Sequence, residues 1–254
     1  DAALGGMLYF DRVVLEMAQG LTSPPVERYE TRARPESNPD GEVLIWELPV
    51  IGERYYAGAD TADGLGEELA LLPQKGGSDR NACAIYKASD NSQVCAIYGR
   101  QEEHSFARVL DRWGRSYNNA LLCVERNRRS VLSNLRGLAY PNLYFTDKVV
   151  DQHVLLASNP VRQMEYGFNT DSKTRPTLLG DFREALSMRV MRPRDTAFFD
   201  EAENFVAGEK PQARSGTHDD RVFAHALANQ ARKMVRLEYR GRTTPRMLAG
   251  RMSM

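Results

Sequence analysis

The spacing of apolar and polar positions changes several times along the chain, and each change marks an element. Leu8, Val13, Val14 and Met17 recur at helical spacing, which predicts a short helix over 8–19. Thr22-Ser23-Pro24-Pro25 stops it, and the polar run through Arg32, Pro35, Asn38, Pro39 and Gly41 reads as an arm or linker over 1–50. A compact domain is expected from about Val43-Leu44-Ile45-Trp46 onward, with its main body over 51–240 and a basic tail over 241–254. Within that body, 55–59 is a strand-like run of aromatic and small residues ending in Asp60. Two further apolar runs, 82–86 and 94–98, flank Ala88-Ser89-Asp90-Asn91, a good hairpin turn.

Phe106, Val109, Leu110 and Trp113 then return to helical spacing over 102–113. A strand is expected at 121–124, ending at Glu125, then a short helix at 130–138 carrying Val131, Leu135 and Leu138, then a strand at 143–145. The stretch 148–165 is irregular and reads as a long hairpin or loop. Helices are expected near 177–187 and 196–206. The strongest helical pattern runs over 219–237, with Val222, Phe223, Ala226, Leu227, Ala231 and Val235 on one face. Three antiparallel strands followed by alternating helices and strands predict an α/β fold, a mixed sheet flanked by helices.

Composition narrows the function classes. The chain has 254 residues, 42% of them hydrophobic and 27% charged, ordinary for a globular protein, and no apolar run long enough to span a membrane. The 34 basic and 34 acidic side chains cancel, which argues against coating nucleic acid by bulk charge but leaves room for a local basic groove. Cys83, Cys95 and Cys123 lie inside apolar alternating runs without ligand spacing, so they read as reduced, buried thiols of a cytoplasmic protein. The chain begins Asp1-Ala2-Ala3, with neither an initiator Met nor the blocks of a signal peptide, as expected of a piece of a longer protein.

Three acidic positions stand out by their placement. Asp60 ends one predicted strand, Glu125 ends another, and Asp219-Asp220 opens the last helix. If the two strands are neighbours, their carboxylates emerge at one edge of the sheet, and a helix crossing that edge brings in a third. Crowded carboxylates repel unless a cation neutralises them, and Mg²⁺ or Mn²⁺ suit oxygen donors. Two such ions about 4 Å apart would clamp a phosphodiester. Taken singly, Asp219 is also an ordinary helix cap, Asp60 a turn residue and Glu125 a surface ion-pair partner.

Several motifs resemble those of the nuclease domain of viral DNA-packaging terminase large subunits. Tyr56-Ala57-Gly58-Ala59-Asp60-Thr61-Ala62-Asp63-Gly64 is similar to the first catalytic strand of that family, and Ser78-Asp79 with Ala82-Cys83-Ala84-Ile85-Tyr86 to its next element. Leu122-Cys123-Val124-Glu125-Arg126-Asn127 resembles the second acidic motif. Tyr140-Pro141-Asn142-Leu143-Tyr144, Gly167-Phe168-Asn169-Thr170 and Thr174-Arg175-Pro176 resemble connecting motifs, and Gly216-Thr217-His218-Asp219-Asp220 the third acidic motif. The resemblance implies a ribonuclease H-like sheet and endonucleolytic cutting of concatemeric double-stranded viral DNA in the host cytoplasm. It also implies two Mg²⁺ or Mn²⁺ ions held by Asp60, Glu125 and one of Asp219 and Asp220, with Asp220 favoured. The partners implied are a terminase ATPase domain, a small terminase subunit and a portal protein. No GxxxxGK[ST] phosphate loop is present, so the chain should cut DNA without translocating it, and 1–51 would be the remnant of a linker to a motor. The segment 65–77 is longer than a tight hairpin needs and reads as an insertion.

Arg126, Arg128 and Arg129 follow Glu125 directly and, with Lys173 and Arg175, are candidates to hold DNA phosphates. A solvated basic loop is the plainer reading of each. His218 reads as a turn or cap residue, and His104, His153 and His225 show no ligand spacing. The basic run from Arg232 through Arg251 offers a DNA or portal contact, or a solvated tail. Two rival functions stay open at this point: another ribonuclease H-like nuclease such as a resolvase or transposase, and a DNA-gripping or portal-docking module with weak isolated activity.

Overall fold

The computed structural model describes residues 7–31, 36–61, 80–126, 129–149, 162–208 and 210–241. Asp63, the 65–77 segment, Ser78-Asp79, Arg128, the Arg129 side chain, His153 and the tail beyond Gly241 lie outside the described residues. In chain order the elements are α1 (Arg12–Gln19), β1 (Glu27–Tyr29), β2 (Val43–Ile45), β3 (Tyr55–Asp60), β4 (Asn81–Lys87), β5 (Gln93–Gly99), α2 (Glu103–Ser116) and β6 (Leu121–Val124). They continue with α3 (Arg129–Gly137), β7 (Phe145–Val149), β8 (Arg162–Tyr166), α4 (Thr174–Ser187), α5 (Thr196–Glu203), β9 (Phe205–Val206), β10 (Gln212–Ala213) and α6 (Asp220–Gly241).

Six strands form one mixed sheet in the order β1-β2-β5-β4-β3-β6. The chain runs antiparallel from β3 through β4 to β5, and α2 then crosses back so that β6 lies parallel to β3. This is the ribonuclease H-like arrangement, and it makes the ends of β3 and β6 neighbours. Side chains alternate between the faces of a strand. Tyr56, Ala82, Ala84, Tyr86, Leu121 and Cys123 therefore join one core cluster, with α4, α5 and α6. Ala57, Ala59, Cys83, Ile85, Cys95, Ile97, Leu122 and Val124 join a second cluster on the other face, with α2 and α3. Both faces of the sheet are thus covered, which is why β3 to β6 read as nearly continuous apolar runs. All three cysteines are buried and free.

Residues expected as an arm are tied into this body. Ile45 and Val43 pair with Cys95 and Ile97 of β5, and β1 extends the sheet beyond β2. Leu15 of α1 is buried with Tyr9 and Phe10, whose rings meet Phe205 and Phe182. The polar composition of 22–41 concealed β1, which lies at the sheet edge with no fully buried position. The strand expected at 143–145 also differs. Leu143 makes a single bridge to Leu122, and from Phe145 the chain leaves to pair with β8 as a separate hairpin. The helix expected over 196–206 stops at Glu203, because Phe205 is drawn into the core and pairs with Ala213.

The decisive packing is α6 on β3. At Gly58 an added methyl carbon would lie 2.1 Å from the Ala228 amide nitrogen, 2.2 Å from the Ala224 carbonyl oxygen and 2.7 Å from the Leu227 carbonyl carbon. The helix backbone therefore rests directly on the strand, and Ala224, Leu227 and Ala228 are buried there. His225 sits deeper on the same helix, its ring edge-on to Phe198 at 4.3 Å and its Nδ1 2.5 Å from the Tyr86 hydroxyl. Burial pushes its imidazole down to about 3, so it is a neutral core residue.

Replacing Gly58 with Ala forces helix and strand apart, since backbone rather than a flexible side chain is in the way. The substitution is expected to cost roughly 3 kcal/mol of stability, read from urea unfolding. A loss under about 0.5 kcal/mol would show that α6 is not seated as described.

Candidate metal centre

The alternation that places Tyr56 and Gly58 toward α6 places Asp60 there too, at the open end of β3. Leu121 and Cys123 set the same face for Glu125, the residue after β6. The amide of Glu125 donates to the Ala59 carbonyl at 3.0 Å, continuing the parallel ladder by one residue and fixing the two acids side by side. On its other flank, Phe168 donates to the Val124 carbonyl at 2.9 Å, and Arg126 donates to the Phe168 carbonyl at 2.7 Å. Gly167 permits that approach: its φ is +79°, and a methyl there would meet the Val124 oxygen at 2.7 Å.

The seating of α6 brings its first residues to the same place. Asp220 opens the helix and is 6% exposed; its Oδ2 accepts from the Arg80 amide and from the Tyr98 hydroxyl, each at 3.3 Å. His218 Nδ1 lies 3.8 Å from the same oxygen. Asp219, one residue earlier, faces Arg175 at 3.5 Å. The electrostatic consequence falls on Asp60. Burial raises its carboxyl well above the usual carboxylate range, and the charge of Glu125, a hydrogen bond to Glu125, and the charges of Asp220 and Asp219 add to the rise. The four acids predicted from sequence thus act on one another in the fold.

The cluster is assembled but open. Among the described residues, no three His, Cys, Asp or Glu side chains are drawn close enough to hold a single ion. The donor set nevertheless fits a hard divalent cation: it consists of carboxylate oxygens, and the buried Thr61 Oγ1 next to Asp60 has no hydrogen-bond partner among the described residues.

The candidate phosphate-binding cations are placed differently from one another. Arg126 pairs with Glu165 and donates to Thr146 Oγ1 at 3.3 Å and to the Gly167 carbonyl at 3.2 Å, so it fastens the β7-β8 hairpin beside Glu125. Arg175 donates to the Pro211 carbonyl at 3.1 Å and lies over the Phe223 ring at 4.3 Å, beside Asp219. Lys173 is exposed and its amide closes a turn on Asp171 at 2.8 Å.

Sequence reasoning missed a buried group next to these acids. Arg221 donates to Asp195 Oδ2 at 3.0 Å and to Glu201 Oε1 at 2.7 Å, while its amide donates to Glu201 Oε2 at 2.8 Å. Burial, the larger influence, raises the Glu201 carboxyl to about 7, and the guanidinium pulls the other way. The Arg221 guanidinium also lies 3.3 Å from the centre of the Tyr98 ring. Alternation along β5 could have put Tyr98 on the acidic face, but nothing local pairs α5 with α6.

No protein-family model and no curated protein matches this chain. Solved structures do. The large terminase nuclease from thermophilic phage G20c is similar over 85% of this chain and 97% of its own, with TM-score 0.54 and 16% identity. Its magnesium-bound form gives 0.55 over 85% and 96%, at 17% identity. The large terminase nuclease domain of Thermus phage P74-26 gives 0.54 over 85% and 93%, at 17% identity. The resemblance seen in the motifs therefore extends to the ribonuclease H-like fold.

If the acids repel as described, Asp60→Asn should stabilise the metal-free protein. At pH 8 in EDTA its unfolding free energy is expected to rise by about 1 kcal/mol or more. A fall of similar size would mean that Asp60 is held by favourable contacts rather than strained.

Proposed function

We propose that this chain is a divalent-metal-dependent endonuclease acting on double-stranded DNA, of the kind used in viral genome packaging. The observation that carries this reading is the convergence of Asp60, Glu125 and Asp220 on one face, from two parallel strand ends and a helix start, in a fold shared with terminase nucleases. The magnesium, cobalt and zinc recorded with the G20c nuclease support a divalent ion here. In this reading Asp60, Glu125 and Asp220 hold two Mg²⁺ or Mn²⁺ ions. When bound, such a pair activates the attacking water and stabilises the leaving oxygen.

The chain's own residues position that chemistry. The β3-β6 ladder fixes Asp60 against Glu125. Asp220, whose Oδ2 accepts from the Arg80 amide and from Tyr98, is favoured over Asp219, whose carboxylate faces Arg175. Exposed Lys173 is placed to meet a phosphate, whereas Arg126 and Arg175 must first exchange an internal partner. Arg128 and Arg129 remain candidates on sequence alone. Cutting of concatemeric viral DNA in the host cytoplasm, beside an ATPase motor, a small terminase subunit and a portal, completes the proposal. No described helix is long and apolar enough to cross a membrane.

Supercoiled plasmid incubated with Mg²⁺, Mn²⁺ or EDTA tests the reading. Nicking and linearisation with metal, absent in EDTA and reduced at least about 100-fold in Asp60→Ala and Glu125→Ala, is the expected outcome. Folded protein that binds DNA but cuts it in no metal would replace this reading with a DNA-gripping module. Strict preference for branched DNA would replace it with a resolvase.

A further inference from the structure

Of the three proposed ligands, Asp220 is the one that does not come from a strand end, so its position depends on how the first turn of α6 is held. That turn carries an unusual restraint. Residue 221 is gripped by α5 through both its main chain and its side chain: the amide and the guanidinium each donate to Glu201, and Nε donates to Asp195. Asp195 itself caps α5, accepting from the Ala197 amide at 3.1 Å, and is anchored from behind because its own amide donates to Gln93 Oε1 at 3.0 Å. Asp195 and Glu201 are 4% and 7% exposed, so this ion pair is shielded from solvent and geometrically exacting.

The far side of the same guanidinium covers Tyr98, at 3.3 Å from the ring centre. Arg80 lies over that ring as well, at 5.3 Å. The ring is thereby fixed, and its hydroxyl is the donor that reaches Asp220 Oδ2.

We infer that Tyr98, braced by Arg221 against Asp195 and Glu201, is a positioning residue that sets the orientation of Asp220 toward a divalent ion. The inference rests on the metal-centre reading above and adds the residues that fix its third carboxylate. A clamp of this kind suits a ligand whose companions repel it. Without it, Asp220 is held less firmly toward Asp60 and Glu125 when the site is metal-free, and each binding event must then order it further.

The test compares Tyr98→Phe and Arg221→Lys with the parent protein in two measurements. One is Mn²⁺ affinity by calorimetry, and the other is the thermal midpoint in EDTA. Tyr98→Phe keeps the ring beneath Arg221 and removes only the donor to Asp220. It is expected to bind Mn²⁺ about five- to ten-fold more weakly, with an EDTA midpoint within about 2 °C of the parent. Raising Mn²⁺ should restore its DNA cleavage, since the reacting groups are intact. Arg221→Lys should weaken Mn²⁺ binding as well, while lowering the midpoint. Unchanged Mn²⁺ affinity in Tyr98→Phe, with the parent binding normally, overturns the inference and leaves the metal centre standing. A parent protein that binds no Mn²⁺ overturns both.

Discussion

The contact between the backbone of α6 and the backbone of β3 governs the rest of the structure. Gly58 has no side chain to hold them apart, so the helix lies on the strand with Ala224, Leu227 and Ala228 against it. Two consequences follow from that single approach. The buried face of α6 closes the core with α4 and α5, and the start of the helix lands beside the end of β3. A bulkier residue at 58 would lift the helix and carry Asp219 and Asp220 away from Asp60. The packing that stabilises the domain and the geometry that assembles the acids are the same contact.

What this contact gathers is electrostatically unfavourable. Four carboxylates act on one another, and Asp60 absorbs the result as a strongly raised proton affinity. Around them the fold spends its cations on holding position. Arg126 fastens the β7-β8 hairpin by pairing with Glu165, Arg175 sits against Asp219 and Phe223, and Arg221 locks α5 to α6. Carboxylates crowded in this way suit a divalent cation, whose binding relieves the repulsion among them.

Much of this was legible before any coordinates. Alternation in Tyr56-Ala57-Gly58-Ala59-Asp60 and in Leu121 through Glu125 places both acids on one face once the strands are neighbours. The helical pattern from Val222 to Val235 shows which side of α6 is buried. These are local periodicities, and local periodicity survives in one sequence. The contribution of β1 did not show, because a short edge strand among polar residues looks like a linker. The ion pairs of Arg126 and Arg175 were equally hidden: an arginine beside an acidic motif looks the same whether its partner is a phosphate or Glu165, over 30 residues away. Arg221 with Asp195 and Glu201 is the plainest case, since its meaning depends wholly on α5 packing against α6.

The central claim is that Asp60, Glu125 and Asp220 form one divalent-metal site. Anomalous diffraction from crystals soaked in Mn²⁺ addresses it most directly. The account expects manganese peaks between these three carboxylates, two of them about 4 Å apart when a DNA phosphate is present. Manganese bound only elsewhere on the molecule, with the three carboxylates unliganded, would contradict it.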